Sequence, residues 1–290
     1  MVPQGILPAS VTPMSPSGDV DFLSLAKLGA FFRAAGCAGM VVAGTNGEGP
    51  SLSAVEKRDL AREAVRLCDP LPIILGISTP SLHEAEWLVA QAHKCGCAAA
   101  LVMAPGYFRN ASDNGVRDWF LNLADSSPCP LILYNFPKFT GFTMSPEFVQ
   151  LLAKHPQVVG FKDSSGAKEN LLSYREAAEG KRLFVGDETL LLEALEAGWD
   201  GSISGAANLI PQWLSEILRA HESGDKQSAH TKFQVVLPLI EQIRSQPQPA
   251  TNKAVLSKWG IISSPIPRLP LEEESGEQTA ELLRAKLGLK

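Results

Sequence analysis

The chain has 290 residues, of which 45% are hydrophobic and 20% charged, and its formal net charge at pH 7 is −5. This composition is close to that of an average globular protein, and the acidic balance argues against a nucleic-acid binder, whose surface is usually basic. No apolar run reaches the roughly 18 residues of a membrane span, and Met1–Gly5 lacks the basic start of a secretory signal. We therefore expect no nucleic-acid partner and no membrane partner.

The cysteines and histidines suggest neither disulfides nor a metal site. Cys95 and Cys97 are spaced wrongly for a redox or zinc pair, and no ligand cluster accompanies them. We expect all five cysteines to be reduced and packed as small apolar residues. Reduced cysteines are typical of the cytoplasm, which is the predicted location.

Eight apolar stretches in the first 210 residues are predicted to be β-strands. They are Gly5–Val11, Gly39–Ala43, Pro72–Gly76, Ala99–Met103, Leu131–Asn135, Val158–Lys162, Leu183–Gly186 and Gly201–Ser204. Helical patterns lie between them, for example Asp21–Ala35, Ser53–Leu67, Ser81–Lys94, Gly115–Asp125 and Thr189–Ala197. Strands that alternate with helices form a parallel sheet, and right-handed crossovers close eight such units into a (β/α)8 TIM barrel.

Beyond residue 210 the alternation stops, and the rest of the chain is predicted to be helical. The helices are Pro211–Ser223, Lys226–Ser245, Ala250–Lys258 and Glu273–Leu287. Ser263–Pro270 is predicted to be an extended connector, because its repeated prolines exclude a helix. The predicted units are a barrel with the active site, residues 1–210, and an all-helical C-terminal extension, residues 211–290.

Lys162 stands at the end of one predicted strand, where a charged side chain is costly to bury. Burial lowers the pKa of a lysine and leaves a neutral amine that can attack a carbonyl carbon and form a Schiff base. Because neighbours on a strand point to opposite faces, Asp163 should face the helix layer or the adjoining loop if Lys162 points into the barrel. The structural alternative is a lysine that extends from the strand end to water.

Active sites of TIM barrels lie at the carboxyl ends of the strands, and two further features occur there. The second strand is followed by Gly44–Pro50, with the sequence GTNGEGP, whose amides can converge on an anion such as a carboxylate. An ordinary glycine-rich connector is equally compatible with this loop. Two of the three tyrosines, Tyr107 and Tyr134, also fall at strand ends. A phenol beside an imine can transfer the protons that imine chemistry requires, although such tyrosines also occur as packing residues.

Three of these stretches together resemble the dihydrodipicolinate synthase and N-acetylneuraminate lyase superfamily. They are Gly44–Glu48, Tyr134–Pro137 with Thr140 and Gly141, and Gly160–Asp163. The resemblance extends from Thr12 to Pro270. It implies a barrel with a helical tail, usually assembled as a homotetramer, and a lysine that forms an imine with pyruvate or a related 2-oxo acid. No cofactor and no metal are expected.

The resemblance also implies catalytic roles for four residues. Lys162 would be the Schiff-base lysine, and Tyr134 would be the general acid and base. Thr45 would pass protons between Tyr134 and Tyr107, and Tyr107 resembles the tyrosine that a neighbouring subunit contributes.

Further residues are implied in substrate binding. Thr45 and Asn46 would hold the pyruvyl carboxylate, while Gly186 and Ile203 would line the pyruvate pocket. Asn46, together with Ser164 after the lysine, is most similar to 4-hydroxy-2-oxoglutarate aldolase and to 2-oxo-3-deoxy sugar acid aldolases.

One position departs from the synthase branch of the family. The synthase has an arginine between Pro137 and Thr140 that holds the carboxylate of its second substrate, and this chain has Phe139 there. An apolar ring cannot replace a forked guanidinium. The resemblance with this departure predicts a class I aldolase that cleaves or forms a 4-hydroxy-2-oxo acid.

Several alternatives stay open at this point. The first is dihydrodipicolinate synthase itself, which condenses pyruvate with aspartate semialdehyde, and another is a sugar-acid dehydratase that uses the same lysine. A non-catalytic barrel that binds a 2-oxo acid is disfavoured, because all four catalytic positions are present. A metal-dependent aldolase is disfavoured, because the strand ends offer no histidine and carboxylate ligand set.

Overall fold

The structure is a computed structural model that describes residues 2–288; Met1, Leu289 and Lys290, at the ends of the two predicted units, lie outside it. The described residues form eight strands and twelve helices. The strands are β1 Gly5–Pro8, β2 Met40–Val42, β3 Ile73–Ile77, β4 Ala99–Met103, β5 Leu131–Asn135, β6 Val158–Asp163, β7 Arg182–Val185 and β8 Gly201–Ser204. The helices are α1 Phe22–Ala34, α2 Ala54–Leu67, α3 Leu82–Cys95, α4 Asp113–Ser126, α5 Pro137–Thr140, α6 Pro146–Ala153, α7 Asn170–Ala177, α8 Leu191–Glu196, α9 Pro211–Glu222, α10 Lys226–Ser245, α11 Ala250–Lys258 and α12 Glu277–Leu287.

The eight strands form one parallel sheet in which consecutive strands from β2 to β8 pair with each other and β1 pairs with β8. A parallel bridge between Ala9 and Val41 closes the remaining gap between β1 and β2, where the Ser10 amide donates to the Val41 carbonyl at 2.9 Å. The predicted (β/α)8 TIM barrel is confirmed.

Two apolar layers explain why the strands read as continuous hydrophobic runs. Strands of a parallel barrel are buried on both faces, so side chains of both orientations must be apolar. One set fills the inside of the barrel and includes Leu7, Val41, Ile74, Leu101, Ile132, Phe184 and Ile203. The other set packs between the sheet and the helices. All five cysteines are free thiols, and four of them are buried.

Polar side chains at several helix starts fix where the helices begin. Ser53 accepts a hydrogen bond from the Glu56 amide, while the Glu56 side chain accepts from the Ser53 amide, which completes a capping box for α2. Asp21, Ser81 and Ser145 cap α1, α3 and α6 in the same position. Each of these caps fixes the residue at which its helix begins.

The helices beyond residue 210 cover one side of the barrel. The first of them, α9, packs against β1 and α1, and α10 packs along α9. Because α9 thus joins the outer ring of barrel helices, the division at residue 210 stays a prediction. Between residues 2 and 288, no helix combines the length and apolar character needed to cross a membrane.

Candidate active site

A cavity of about 230 Å³ opens at the carboxyl ends of the strands. Its inner part is lined by strand and loop residues that include Thr45, Asn46, Tyr134, Lys162, Ser164, Gly186 and Ile203. Its mouth is lined by Phe136, Lys138, Phe139, Arg244, Gln246 and Gln248. The structure therefore brings seven of the eight predicted site residues into one cavity.

Lys162 is buried at the end of β6, and its ammonium nitrogen lies 4.1 Å from the centre of the Tyr134 ring. Burial lowers the pKa of Lys162 to about 7, because a low-dielectric environment disfavours the charged form. The carboxylate of Glu188 opposes this shift, while the guanidinium of Arg244 adds to it. Near neutral pH a large share of the lysine is therefore the neutral amine, which is the nucleophilic form.

Tyr134 lies beside Lys162 because the two are register partners on β5 and β6. The ring is buried, and burial raises the pKa of the phenol. The hydroxyls of Ser164, at 3.3 Å from the phenol oxygen, and of Thr45 act in the opposite direction. The phenol is therefore protonated at neutral pH and can donate a proton to a group bound next to the lysine.

Asp163 points away from the cavity, as the alternation along a strand requires. Its carboxylate accepts hydrogen bonds from the side-chain amides of Asn135 at 2.8 Å and Asn170 at 3.0 Å, and from the Ser165 hydroxyl at 2.8 Å. The predicted opposite orientations of Lys162 and Asp163 are confirmed. Asp163 thus holds the loop that follows β6 against α7.

Gly186 leaves the space that the lysine side chain needs. A Cβ atom at this position would lie 1.9 Å from the Ser164 hydroxyl oxygen and 2.8 Å from Cε of Lys162. Both distances are shorter than any real contact, so only glycine fits without displacing the lysine. The predicted placement of Gly186 in the pocket wall thus has a steric cause.

The loop Gly44–Pro50 folds into tight turns at the base of the cavity. Ala43 and Glu48 adopt left-handed conformations, with φ of 54° and 55°, that non-glycine residues seldom occupy. Among residues 2–288, nothing accepts a hydrogen bond from the Thr45 or Asn46 amide. The buried Thr45 hydroxyl also lacks a partner of normal geometry within those residues. These donors can bind an anion, as the sequence predicts.

Glu48 connects this loop to the helical extension. Its carboxylate accepts a hydrogen bond from the Lys253 ammonium at 2.6 Å, and both side chains are fully buried. The other carboxylate oxygen accepts from the Arg268 amide at 2.6 Å. The loop is therefore fixed by α11 and by the connector that follows it.

Tyr107 is the predicted site residue that the structure does not bring into the cavity. Its side chain is 78% exposed and packs edge-to-face on Phe108, with ring centres 5.2 Å apart. It borders a separate cavity that also contacts Thr45 and Thr140. Within one chain, the proposed relay from Tyr134 through Thr45 to Tyr107 is therefore incomplete.

Sequence analysis missed two charged residues that the structure places next to Lys162. Glu188 is buried, and it accepts hydrogen bonds from the Ser204 hydroxyl at 2.7 Å and the Ala206 amide at 3.0 Å. Arg244 donates to Glu188 at 2.8 Å. Burial alone would raise the pKa of Glu188, but Arg244 and these hydrogen bonds outweigh it, and the pKa is lowered. Glu188 could have been identified as a site residue, because it follows Gly186 by two positions. No local sequence pattern identifies Arg244.

Aromatic rings form the side of the mouth where the synthase has its arginine. Phe136 stacks on Tyr134 with ring centres 5.4 Å apart, and Phe139 meets Phe136 edge-to-face at 4.7 Å. Phe139 is about half exposed. This wall is apolar, and it offers no guanidinium at position 139. In the part of the chain that the structure describes, no three His, Cys, Asp or Glu side chains are grouped so that they could hold a metal ion.

Comparison with known proteins identifies the relatives of the chain. Residues 2–286 match the model of the dihydrodipicolinate synthetase family. A 4-hydroxy-tetrahydrodipicolinate synthase from Pseudoalteromonas atlantica is 34% identical over 267 residues, which cover 91% of each chain. A protein of the same name from Listeria innocua is 34% identical over 257 residues, which cover 88% of this chain and 87% of that one.

Solved structures agree with this match. The chloride-inhibited dihydrodipicolinate synthase from Acinetobacter baumannii, complexed with pyruvate, has a TM-score of 0.91 at 33% identity, over 99% of this chain and 98% of that one. A prophage protein of the dihydrodipicolinic acid synthase family from E. coli K12, also in complex with pyruvate, has a TM-score of 0.92 at 27% identity, over 98% of both chains.

The barrel and these matches define a carbon–carbon lyase, a pyruvate-dependent aldolase of class I. The chain belongs to the dihydrodipicolinate synthetase family. The superfamily that the three sequence motifs predict is thereby confirmed.

Proposed function

We propose that Lys162 forms an imine with the 2-oxo carbon of pyruvate and that the reaction needs neither a metal nor an organic cofactor. The observation that carries this proposal is the buried amine of Lys162, which has a pKa of about 7 and lies against the Tyr134 ring. The amine attacks the carbonyl carbon, and water leaves as the imine forms. Loss of a proton from the neighbouring carbon, or cleavage of its bond to the next carbon, leaves an electron pair there. The protonated imine accepts this pair, so that an enamine forms instead of a carbanion.

The other cavity residues fit the remaining steps. The free amides of Thr45 and Asn46 bind the pyruvyl carboxylate, and Gly186 and Ile203 enclose the rest of the pyruvyl group. Tyr134 gives and takes the protons of carbinolamine formation, dehydration and carbon–carbon bond formation or cleavage. The Ser164 hydroxyl donates to the phenol oxygen at 3.3 Å and so helps to orient the Tyr134 phenol.

For the second substrate, we place the synthase reaction first, in which pyruvate condenses with aspartate semialdehyde. The relatives above carry the name 4-hydroxy-tetrahydrodipicolinate synthase, and this favours the synthase over the aldolase that sequence analysis prefers. The objection from Phe139 also weakens, because the guanidinium of Arg244 reaches the same mouth from α10. Sequence reasoning could not anticipate this, because α10 lies far along the chain from the strand 5 loop.

Cleavage of a 4-hydroxy-2-oxo acid, such as 4-hydroxy-2-oxoglutarate or a 2-oxo-3-deoxy sugar acid, is the second candidate. Phe139 favours it, because the synthase-type arginine is replaced by an apolar ring that lines the mouth. Both reactions use the same enamine. They differ in the part of the substrate that contacts the aromatic wall of the mouth.

Two measurements test these proposals separately. Treatment with pyruvate and borohydride should add one reduced pyruvyl group at Lys162, and the absence of an adduct there would falsify the imine mechanism. The kcat/KM values for pyruvate with aspartate semialdehyde are then compared with those for pyruvate release from a panel of 4-hydroxy-2-oxo acids. A higher value for any acid of the panel reverses our order of candidates.

We also propose that the active form is a homotetramer in which a neighbouring copy contributes Tyr107, and that the protein acts in the cytoplasm. The support for the shared site is the buried Thr45 hydroxyl, which has no partner of normal geometry among residues 2–288, together with the exposed pair Tyr107 and Phe108. A phenol from a second copy would supply the missing partner of Thr45.

A further inference from the structure

Arg244 ends α10, and its guanidinium reaches the mouth of the cavity. It donates to Asp187 at 2.7 Å and to Glu188 at 2.8 Å. Two carboxylates thus hold the guanidinium from one side, while about a third of the side chain stays exposed. A long side chain fixed in this way loses little conformational entropy when it binds a ligand.

The guanidinium keeps hydrogen-bonding capacity on its free side. Arginine has five N–H donors, arranged as a planar fork. Among residues 2–288, the Nε proton has no acceptor, and Nη2 donates to Asp187 alone. The edge formed by Nε and Nη2 is the one that pairs with a carboxylate through two parallel bonds.

The guanidinium of Arg244 and the side chain of Lys162 both lie next to Gly186. Gly186 lies between them: its carbonyl faces Nη1 of Arg244 at 3.5 Å, and a Cβ on it would lie 2.8 Å from Cε of Lys162. One residue therefore separates the two groups. Both groups line the same cavity, so a short molecule joined to Lys162 through its 2-oxo carbon can extend towards Arg244.

The charges of the mouth permit an additional anion. Asp187 and Glu188 carry two negative charges, and Arg244 offsets one of them. Lys138 is an exposed cation that also lines the mouth, and it makes no ion pair within residues 2–288. The protonated imine would supply one more positive charge, so these groups together offset the carboxylate next to the imine, and a second carboxylate meets a site without net charge.

We propose that Arg244 binds a carboxylate at the end of the substrate distant from the imine, and so selects substrates that carry one. The inference rests on the imine function proposed for Lys162. Arg244, which lies in the helical extension, would thus bind the carboxylate that the synthase binds with an arginine at the position of Phe139. It holds for either candidate reaction, provided that the second half of the substrate ends in a carboxylate.

The test uses two 2-oxo acids of equal length. 2-Oxoglutarate ends in a carboxylate, and 2-oxopentanoate has a methyl group in its place. The concentration that gives half-maximal borohydride trapping at Lys162 is measured for both. The wild-type protein should prefer 2-oxoglutarate by about tenfold to a hundredfold, the range of a charge-assisted pair. In Arg244→Gln this ratio should fall close to one.

Two further variants separate direct binding from indirect effects. Arg219→Gln makes the same change on the exposed face of α9 and should keep the wild-type ratio. The double variant Glu188→Gln with Arg244→Gln removes a negative charge together with the guanidinium. If Arg244 acted only by neutralising Glu188, this double variant would recover the preference, and the proposal would be wrong.

The remaining outcomes are also decisive. An unchanged ratio in Arg244→Gln overturns the inference, as does a wild-type protein that forms the pyruvate adduct but shows no preference between the two acids. A wild-type protein that forms no pyruvate adduct overturns the proposed function instead. Should Arg244→Gln fail to fold, Arg244→Lys takes its place, because it keeps the charge without the forked group. Its preference for 2-oxoglutarate over 2-oxopentanoate should be weaker than that of the wild type but greater than one.

Discussion

The protonation state of Lys162 should govern the pH dependence of the enzyme. Its pKa is lowered to about 7, so protons are lost well below the pH at which an exposed lysine loses them. Because only the neutral amine attacks, the rate of borohydride-trappable imine formation with pyruvate should fall about tenfold for each pH unit below 7 and level off above roughly pH 8. A profile that still rises steeply between pH 9 and 10 would mean that the lysine titrates as an exposed group.

Replacing the nucleophile gives the matching mutational prediction. Lys162→Arg should reduce kcat at least about a thousandfold, because a guanidinium stays protonated and cannot form the imine. Lys168→Arg is the control, since Lys168 is an exposed lysine that pairs with Glu193 outside the cavity. Steady-state kinetics of both variants decide the point, and similar losses in the two would exclude a special role for Lys162.

Tyr134 and Tyr174 offer a matched comparison of two buried phenols. Tyr134→Phe should lower kcat by roughly a hundredfold to ten-thousandfold, because the proton donor beside the imine is lost. Tyr174 donates to the Met144 carbonyl and accepts from Asn135, outside the cavity. Tyr174→Phe should therefore lower the free energy of unfolding by about 1–3 kcal/mol while kcat changes little. The contrary result is a larger loss of kcat in Tyr174→Phe.

At the residue scale, sequence predicts the part of the site whose signals are local. Lys162 and Tyr134 each stand one residue before the end of a strand, so their meeting follows once the two strands are neighbours. Arg244 was not predictable, because its place depends on how α10 packs over the barrel. Phe139 is a local signal that favours the aldolase, whereas the names of the relatives favour the synthase.

Among the secondary structure elements, the loop after β2 depends most on a distant part of the chain. Breaking its fully buried ion pair by Lys253→Met should lower the free energy of unfolding by about 3–5 kcal/mol, because Glu48 is left as an unpaired buried charge. Adding Glu48→Gln should recover most of the lost stability. Denaturant titration of both variants measures their free energies of unfolding. A double variant as unstable as the single one would show that packing, and not the charge, causes the loss.

The boundaries of the elements were predictable where packing and local chemistry agree. Strands β4, β5 and β8 have the predicted bounds, because their apolar runs stop where the cavity begins. The last helix starts at Glu277 instead of Glu273, since Gly276 precedes it in a left-handed conformation at φ 61°. Helices α6 and α7 each have 8 residues, which is too short for a clear hydrophobic period.

On the scale of the whole molecule, the open question is whether one chain contains a complete site. If a second copy contributes Tyr107, Tyr107→Phe should slow turnover by roughly a hundredfold while the assembly stays intact. Light scattering and steady-state kinetics on the same sample give both quantities. Dissociation of the assembly in this variant would assign Tyr107 to interface packing instead.

The alternation of strands and helices predicts the barrel as a whole, because each unit must bury an apolar strand between two layers. The assembly of copies is not predictable in this way. In the sequence, Tyr107 and Phe108 are only two aromatic residues after a strand, and the exposure that makes them candidates for contact with a second copy emerges only in the structure.

The cavity takes its walls from two distant parts of the chain. The amine and phenol come from neighbouring strands of the eightfold core, whereas Arg244, Gln246 and Gln248 come from the end of α10 and the turn after it. Substitutions in that short turn can change which partner molecule is accepted without disturbing the step in which pyruvate is activated. A lineage could therefore acquire a new reaction product through a few changes near the C-terminus, while the ancestral chemistry is inherited intact.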